Sequence, residues 1–340
     1  MNVRPDRLLV VAGSHLETWR PYTSCYVGLV GLAGAGLAGG RHDAGRLLAA
    51  WAIPTLGWLA GLYGGDYFDR ELDAVAKPQR PIPSGRMRPA TALTMMVLLV
   101  AAGAGWTLAV RWQAVAIVGV ATVVGLSYNT FFKSRGVLGN LVRGTLTSCA
   151  FLFGAVLGAG RISLPLVAAA AVFCLHDAAS NLVGALRDVE GDAAGGYRTL
   201  PVRRGLVHSE RVVAALFLGW AALLAAVPAI LGVAVPAAAA LLGSVAVLTV
   251  AVVCARLLIS GDGLTRRAAL GAHEWLCLER IVAAGSLVAL GGGGRLGLAA
   301  TTAALLVTWV AQRRLRLRHE FDPGDGAPTP VLVPANEEHP

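Results

Sequence analysis

Charge is scarce in this chain: of its 340 residues only 14% are Asp, Glu, Lys or Arg, and aromatic residues add 6%. A soluble globular domain has about a quarter of its residues charged, so that class is excluded. Cysteine is sparse too. Cys25, Cys149, Cys174, Cys254 and Cys277 lie apart in apolar sequence with no Cys-x-x-Cys pair, which removes a disulfide framework and leaves them as core residues. There is no Walker loop, no Gly-x-Ser-x-Gly, no zinc-ligand spacing and no haem-attachment motif. The net charge of +9 flanks apolar runs and forms no readable basic module, so no nucleic-acid partner is expected.

What abounds is apolar length. Hydrophobic residues make up 56% and the mean hydropathy is +0.63. Runs of spanning length lie near 24–39, 46–64, 90–110, 113–129, 144–160, 164–184, 211–232, 236–258, 278–292 and 295–311. The 278–292 run is the weakest, because His273, Glu274, Glu279 and Arg280 crowd its start; a half-span or interfacial helix is the alternative there. The expected fold is all-α, a polytopic transmembrane helical bundle of nine to ten spans around a central cavity. Its 42 glycines allow helices to approach closely in lipid.

Residues 1–20 are expected to form a cytoplasmic segment, since Leu8 to Gly13 is too short for a signal-peptide core. Residues 21–312 form the transmembrane domain, and 313–340 a basic and then disordered tail. An amino terminus in the cytoplasm puts 24 of the 29 Lys and Arg on that side and leaves Arg41, Arg46, Arg111, Arg161 and Arg295 opposite. The expected location is therefore the cytoplasmic membrane, with membrane lipids as surroundings.

Two acidic motifs stand at the cytoplasmic ends of apolar runs, where carboxylates are costly unless a cation meets them. Asp66, Asp69 and Asp73 are spaced three and four apart, and Asn181, Asp188 and Asp192 seven and four apart, so each set projects from one helical face. Two such faces, far apart in sequence, imply one site between helices. The ligand that suits them is a hard divalent cation, Mg2+, carrying a phosphate group. A diphosphate bears about three negative charges near neutral pH, so bare carboxylates repel it and the metal must invert the local field. Each motif is followed by a basic loop: Lys77, Arg80 and Arg86 after the first, Arg198, Arg203 and Arg204 after the second. Pro78, Pro81 and Pro83 stiffen the first loop, and guanidinium groups grip phosphate oxygens in pairs. His176-Asp177 lies inside a span, where an ionisable residue is either functional or a structural pair.

The segments Arg20-Pro21-Tyr22-Thr23, the two acidic motifs, Lys77-Pro78-Gln79-Arg80-Pro81-Ile82-Pro83-Ser84-Gly85, Tyr128 to Lys133 with Gly139-Asn140, and Arg198-Thr199-Leu200-Pro201 resemble the UbiA superfamily of intramembrane prenyltransferases. The resemblance implies a bundle, usually of nine spans, that transfers a prenyl group from a polyprenyl diphosphate to an aromatic or other lipophilic acceptor through an allylic cation. It assigns Asp69, Asp73, Asp188 and Asp192 to Mg2+, adds Asp66 to the catalytic set, and places Lys77, Arg80, Tyr128, Lys133, Asn181 and Arg198 around the substrate. One departure is Gly65, where the family's first motif usually opens with Asn. A terpene cyclase using the same site without an acceptor is the first alternative. A transporter or non-catalytic cation-binding protein is the second, and two acidic motifs facing one side argue against a path across the bilayer.

Overall fold

The computed structural model describes residues 5–39 and 43–320. Its long helices are α1 (Pro5–Trp19), α2 (Pro21–Leu37), α3 (Ala44–Phe68), α5 (Pro89–Arg111), α6 (Val115–Ser127), α7 (Gly136–Ala159), α8 (Leu164–Arg187), α11 (Leu206–Leu231), α12 (Ala237–Ser260), α13 (Arg266–Leu290) and α14 (Gly294–Ala311). Short helices α4 (Arg70–Ala76), α9 (Val189–Ala194), α10 (Leu200–Arg204) and α15 (Leu317–Glu320) fill the connections at one end. No strand occurs among the described residues.

Each of the ten apolar runs is a helix or part of one, α2, α3, α5 to α8 and α11 to α14. Seven helical stretches among the described residues are long and apolar enough to cross a membrane, one of them, Pro89–Phe132, comprising α5 and α6 together. The 278–292 run is the second half of α13, a helix about 37 Å long at 1.5 Å per residue. It packs on α2, α8, α12 and α14, and buries Glu279 and Arg280. Its charges face partners inside the bundle, Glu279 meeting His176 Nε2 at 2.5 Å and Arg280 Nη1 lying 3.9 Å from Asp177, which lowers their cost.

Helix α2 is central, touching α3, α7, α13 and α14. Its glycines set that spacing. A Cβ on Gly34 would lie 1.9 Å from the Phe151 carbonyl oxygen, and one on Gly154 of α7 would lie 1.9 Å from the Gly31 carbonyl oxygen. Backbones this close gain dispersion contacts that leucine-sized residues would forbid. Around the contact, Tyr26, Leu29 and Val30 of α2 join Phe151, Phe173 and Leu182 in the main core.

The junction of α1 and α2 meets the C-terminal end of the described chain. Arg20 Nε donates to His319 Nε2 at 2.8 Å, so α1 and α15 lie at the end of the bundle that carries both acidic motifs. The basic segment 313–319 continues as helix through Glu320, where the disordered tail was expected to begin, and buries Arg316, His319 and Glu320. The rest of the expected disordered tail lies outside the described residues, as does Arg41.

Candidate active site

Both acidic motifs are built the same way, and neither is one continuous helix as the spacing implied. Helix α3 ends at Asp69, whose φ and ψ are −86° and 0°; α8 ends at Asp188, at −97° and 8°. Each break leaves the i to i−4 ladder in place: Asp69 N to Gly65 O is 2.9 Å and Asp73 N to Asp69 O is 2.8 Å, while Asp188 N to Gly184 O is 3.1 Å and Asp192 N to Asp188 O is 2.8 Å. The spacing of the carboxylates survives, but the axis turns, which lets α4 and α9 pack on each other and brings the motifs together.

Cations stand between the carboxylates. Arg80 Nη1 lies 2.8 and 2.9 Å from the two oxygens of Asp73. Lys77 Nζ reaches Asp188 Oδ1 at 3.0 Å, joining the first motif's loop to the second motif. Lys133, placed by the π-helical turn Tyr128–Phe132, bonds Asp69. Arg187 grips both oxygens of Asp188, Nε at 2.9 Å and Nη2 at 2.5 Å. Asp192 accepts from Thr199 Oγ1 at 3.1 Å. Asp66 pairs with Arg20. Arg20 is the sole described non-glycine residue at positive φ, 41°, an uncommon conformation for a residue with a Cβ.

Four basic or polar residues named from the sequence have other partners or none among the described residues. Arg198 is exposed and has no ion pair among the described residues. Arg86 chelates Glu17 at 2.7 and 2.7 Å, tying its loop to α1. Asn181 and Tyr128 bond each other at 3.3 Å, Asn181 also holding Asn140 Oδ1 at 2.7 Å, away from the carboxylates.

Two cavities adjoin the cluster. An apolar one of about 460 Å³ runs between α3, α5, α6 and α7, reaching Gly64, Tyr128 and Asn129. A polar one of about 160 Å³ is walled by Arg20, Arg80, Arg143, Arg187, Arg280 and Arg316. Trp58, Leu62 and Arg143 line both. The six arginines come from six separate parts of the chain, so no local spacing announced this second cavity.

The UbiA prenyltransferase family model matches residues 27–270, most of the helical domain and both acidic motifs. The chain belongs to the UbiA prenyltransferase family. It is thus an integral membrane prenyltransferase. A digeranylgeranylglyceryl phosphate synthase of Natronomonas pharaonis is 34% identical over 234 residues, covering 64% of this chain and 84% of that protein. A UbiA homolog from Aeropyrum pernix K1 superposes with TM-score 0.68 at 16% identity, over 78% of this chain and 97% of the other. A UbiA homolog from Archaeoglobus fulgidus, bound to GPP and Mg2+, superposes with TM-score 0.63 at 16% identity, over 86% and 99%.

Against this UbiA frame the donor set suits a hard cation. Asp69 Oδ1 and Asp66 Oδ2 are buried with no hydrogen-bond partner, and such oxygens cost free energy unless a cation or donor meets them. Among the described residues no three His, Cys, Asp or Glu converge on one point, since Lys77, Arg80, Lys133 and Arg187 separate them. A bound cation must therefore exchange with these ion pairs. A Cβ at Gly65, the position where the family usually carries Asn, meets nothing within 4 Å, so that position is open.

Burial, and next the charge of Asp188, push the Asp192 carboxyl up to about 6, against the pull of Lys133, Thr199 and Lys77. Burial would also raise Asp188, but Arg187 and Lys77 outweigh it and hold that carboxyl below its usual range. Below pH 6 Asp192 keeps its proton, and a metal ion must displace it. The apparent Mg2+ affinity is therefore expected to fall about tenfold per pH unit below 6 and to level off above it. Calorimetric Mg2+ titrations at pH 5 and pH 7.5 check this; equal affinities would remove Asp192 from the ligand set.

Proposed function

We propose that this chain transfers a prenyl group from its diphosphate to the free hydroxyl of a phosphate-bearing glycerol ether lipid. The observation that carries the reading is the pairing of two broken-helix aspartate motifs across a row of cations, beside an apolar cavity able to take an isoprenoid tail. The name of the 34%-identical relative supports the acceptor class. An aromatic acceptor has no comparable support.

In this reading Asp69, Asp73, Asp188 and Asp192 would hold Mg2+, which supplies the charge that neutralises the diphosphate as it departs. Lys77, Arg80 and Lys133, now held by carboxylates, trade those partners for phosphate oxygens and bind them as charged donors. The allylic carbon–oxygen bond breaks with its electron pair leaving on the diphosphate, and the acceptor oxygen forms the new carbon–oxygen bond. An alcohol captured by a carbocation becomes strongly acidic, so a weak base suffices to take its proton. Asp177 is positioned for that role, lining the polar cavity and held by Thr147 at 2.9 Å and Arg143 at 3.4 Å. The loop containing Lys77 to Arg86 and the α9–α10 connection cover the site and exclude water from the cation.

The division of basic residues supports a cytoplasmic position for this end of the bundle. Inside-out vesicles given geranylgeranyl diphosphate and a geranylgeranylglyceryl phosphate should form the doubly prenylated lipid by mass spectrometry, faster than right-side-out vesicles. A hydrocarbon or alcohol formed without acceptor would establish a cyclase. Transfer to aromatic acceptors alone would reject the lipid acceptor, and faster reaction in right-side-out vesicles the orientation.

A further inference from the structure

The polar cavity contains an unusual number of polar groups with nothing to bond. Tyr22 Oη, Ser180 Oγ, Arg80 Nε, Arg280 Nε and Arg316 Nε all lie in its wall, all buried, and none has a hydrogen-bond partner. Each residue is nine-tenths or more buried, from 9% exposed at Arg80 to 0% at Arg316. Buried donors are normally satisfied, and five orphans around one small space mark it as shaped for a ligand rich in acceptor oxygens. At the edge of that space the chain supplies an acceptor of its own. The Glu320 carboxylate lines the cavity, with Oε2 at 2.9 Å from Lys77 Nζ and 3.8 Å from Arg80 Nη2, and Oε1 at 3.0 Å from Arg187 Nη1. Its backbone oxygen accepts from Arg266 Nη2 at 2.8 Å, and the preceding His319 oxygen from Gln79 Nε2 at 3.1 Å.

We propose that this cavity is a phosphate monoester site separate from the aspartate motifs, and that Glu320 is its built-in anionic occupant, displaced when the ligand's phosphate enters. The proposal rests on the acceptor being a phosphate-bearing lipid and places that phosphate among Arg187, Arg280 and Arg316, with Tyr22 and Ser180 as neutral donors and with Arg80, bonded to Asp73, standing between it and the diphosphate. The geometry favours it on three counts. A carboxylate gripped by one ammonium and two guanidinium groups occupies the space a phosphate would occupy. The wall shared with the apolar cavity, at Trp58, Leu62 and Arg143, lets a headgroup sit here while the prenyl donor extends the other way. The segment from Gln312 to Glu320 is also held largely by polar contacts at its end, which an incoming dianion can replace one for one.

An internal occupant lowers apparent affinity by the fraction of molecules in which it has moved aside, and removing its charge restores that fraction. The test uses the full chain in detergent with EDTA present and calorimetric titration of glycerol 3-phosphate and, separately, inorganic pyrophosphate. Glycerol 3-phosphate is expected to bind without Mg2+. Glu320→Gln should tighten it about tenfold, Ser180→Ala should weaken it about fivefold, and Asp192→Asn should change it by less than about twofold. Amide exchange of residues 317–320 should rise when glycerol 3-phosphate is added. Absence of binding to both wild type and Glu320→Gln overturns the proposal. So does weaker binding in Glu320→Gln, which would make Glu320 a structural strut. A requirement for Mg2+ and Asp192 would assign the anion to the diphosphate site instead, and also reject it. If these affinities behave as stated while no phosphate lipid accepts a prenyl group, the site stands and the acceptor assignment falls; if such lipids are prenylated without them, the reverse holds.

Discussion

Asp192→Ala is expected to lower kcat/KM for prenyl transfer by at least about 10³-fold, roughly 4 kcal/mol of transition-state stabilisation. The carboxylate is needed most as the diphosphate gathers charge, so its loss is felt in kcat rather than in binding alone. Asp192 is the cleanest member of the cluster to test, because its side chain accepts one hydrogen bond, from Thr199, and bears no buried cation. Asp73→Ala should be at least as inactive, but it also leaves Arg80 buried beside an empty position, and breaking such a pair costs about 3–5 kcal/mol of stability. The two losses separate when the thermal midpoint is measured beside turnover. Near-normal rates in Asp192→Ala, or full turnover in excess EDTA, would sink the metal assignment.

Gly154→Val is expected to lower the thermal midpoint by at least about 5 °C, reflecting an overpacking cost near the upper end of about 1–3 kcal/mol. The clash is with backbone: the new Cβ falls 1.9 Å from the Gly31 carbonyl oxygen, and no rotamer change relieves that. Gly105→Ala provides the control, since a Cβ there meets nothing within 4 Å and the helix gains from losing a glycine. Detergent-solubilised protein followed by circular dichroism distinguishes them. Equal midpoints for Gly154→Val and wild type would mean that α2 and α7 do not approach as described.

The ten apolar runs were legible because lipid imposes a single rule, that a spanning segment satisfy its own backbone and face hydrocarbon with apolar side chains. Even α13, whose start is crowded by Glu279 and Arg280, is a full helix. The acidic motifs were legible for a similar reason, since carboxylates at fixed three- and four-residue intervals beside basic loops have few uses in a membrane. Three properties of those motifs were not legible. The breaks at Asp69 and Asp188 follow from how α4 and α9 pack. Asp66 pairs with Arg20, 46 residues away. Arg86 is bound by Glu17 of α1, and Arg198 is exposed.

What the sequence determined by itself was therefore the class of molecule and the chemistry of its carboxylates, both written in short-range patterns that a helix repeats every turn. What only the tertiary structure decided was which charges meet. Lys77 joins Asp188 across 111 residues, Arg187 joins Glu320 across 133, and Arg20 joins His319 across 299. Ion pairing in a buried site is chosen by distance and desolvation rather than by separation along the chain, so a glutamate that composition assigns to a loose tail becomes the anion seated among the arginines.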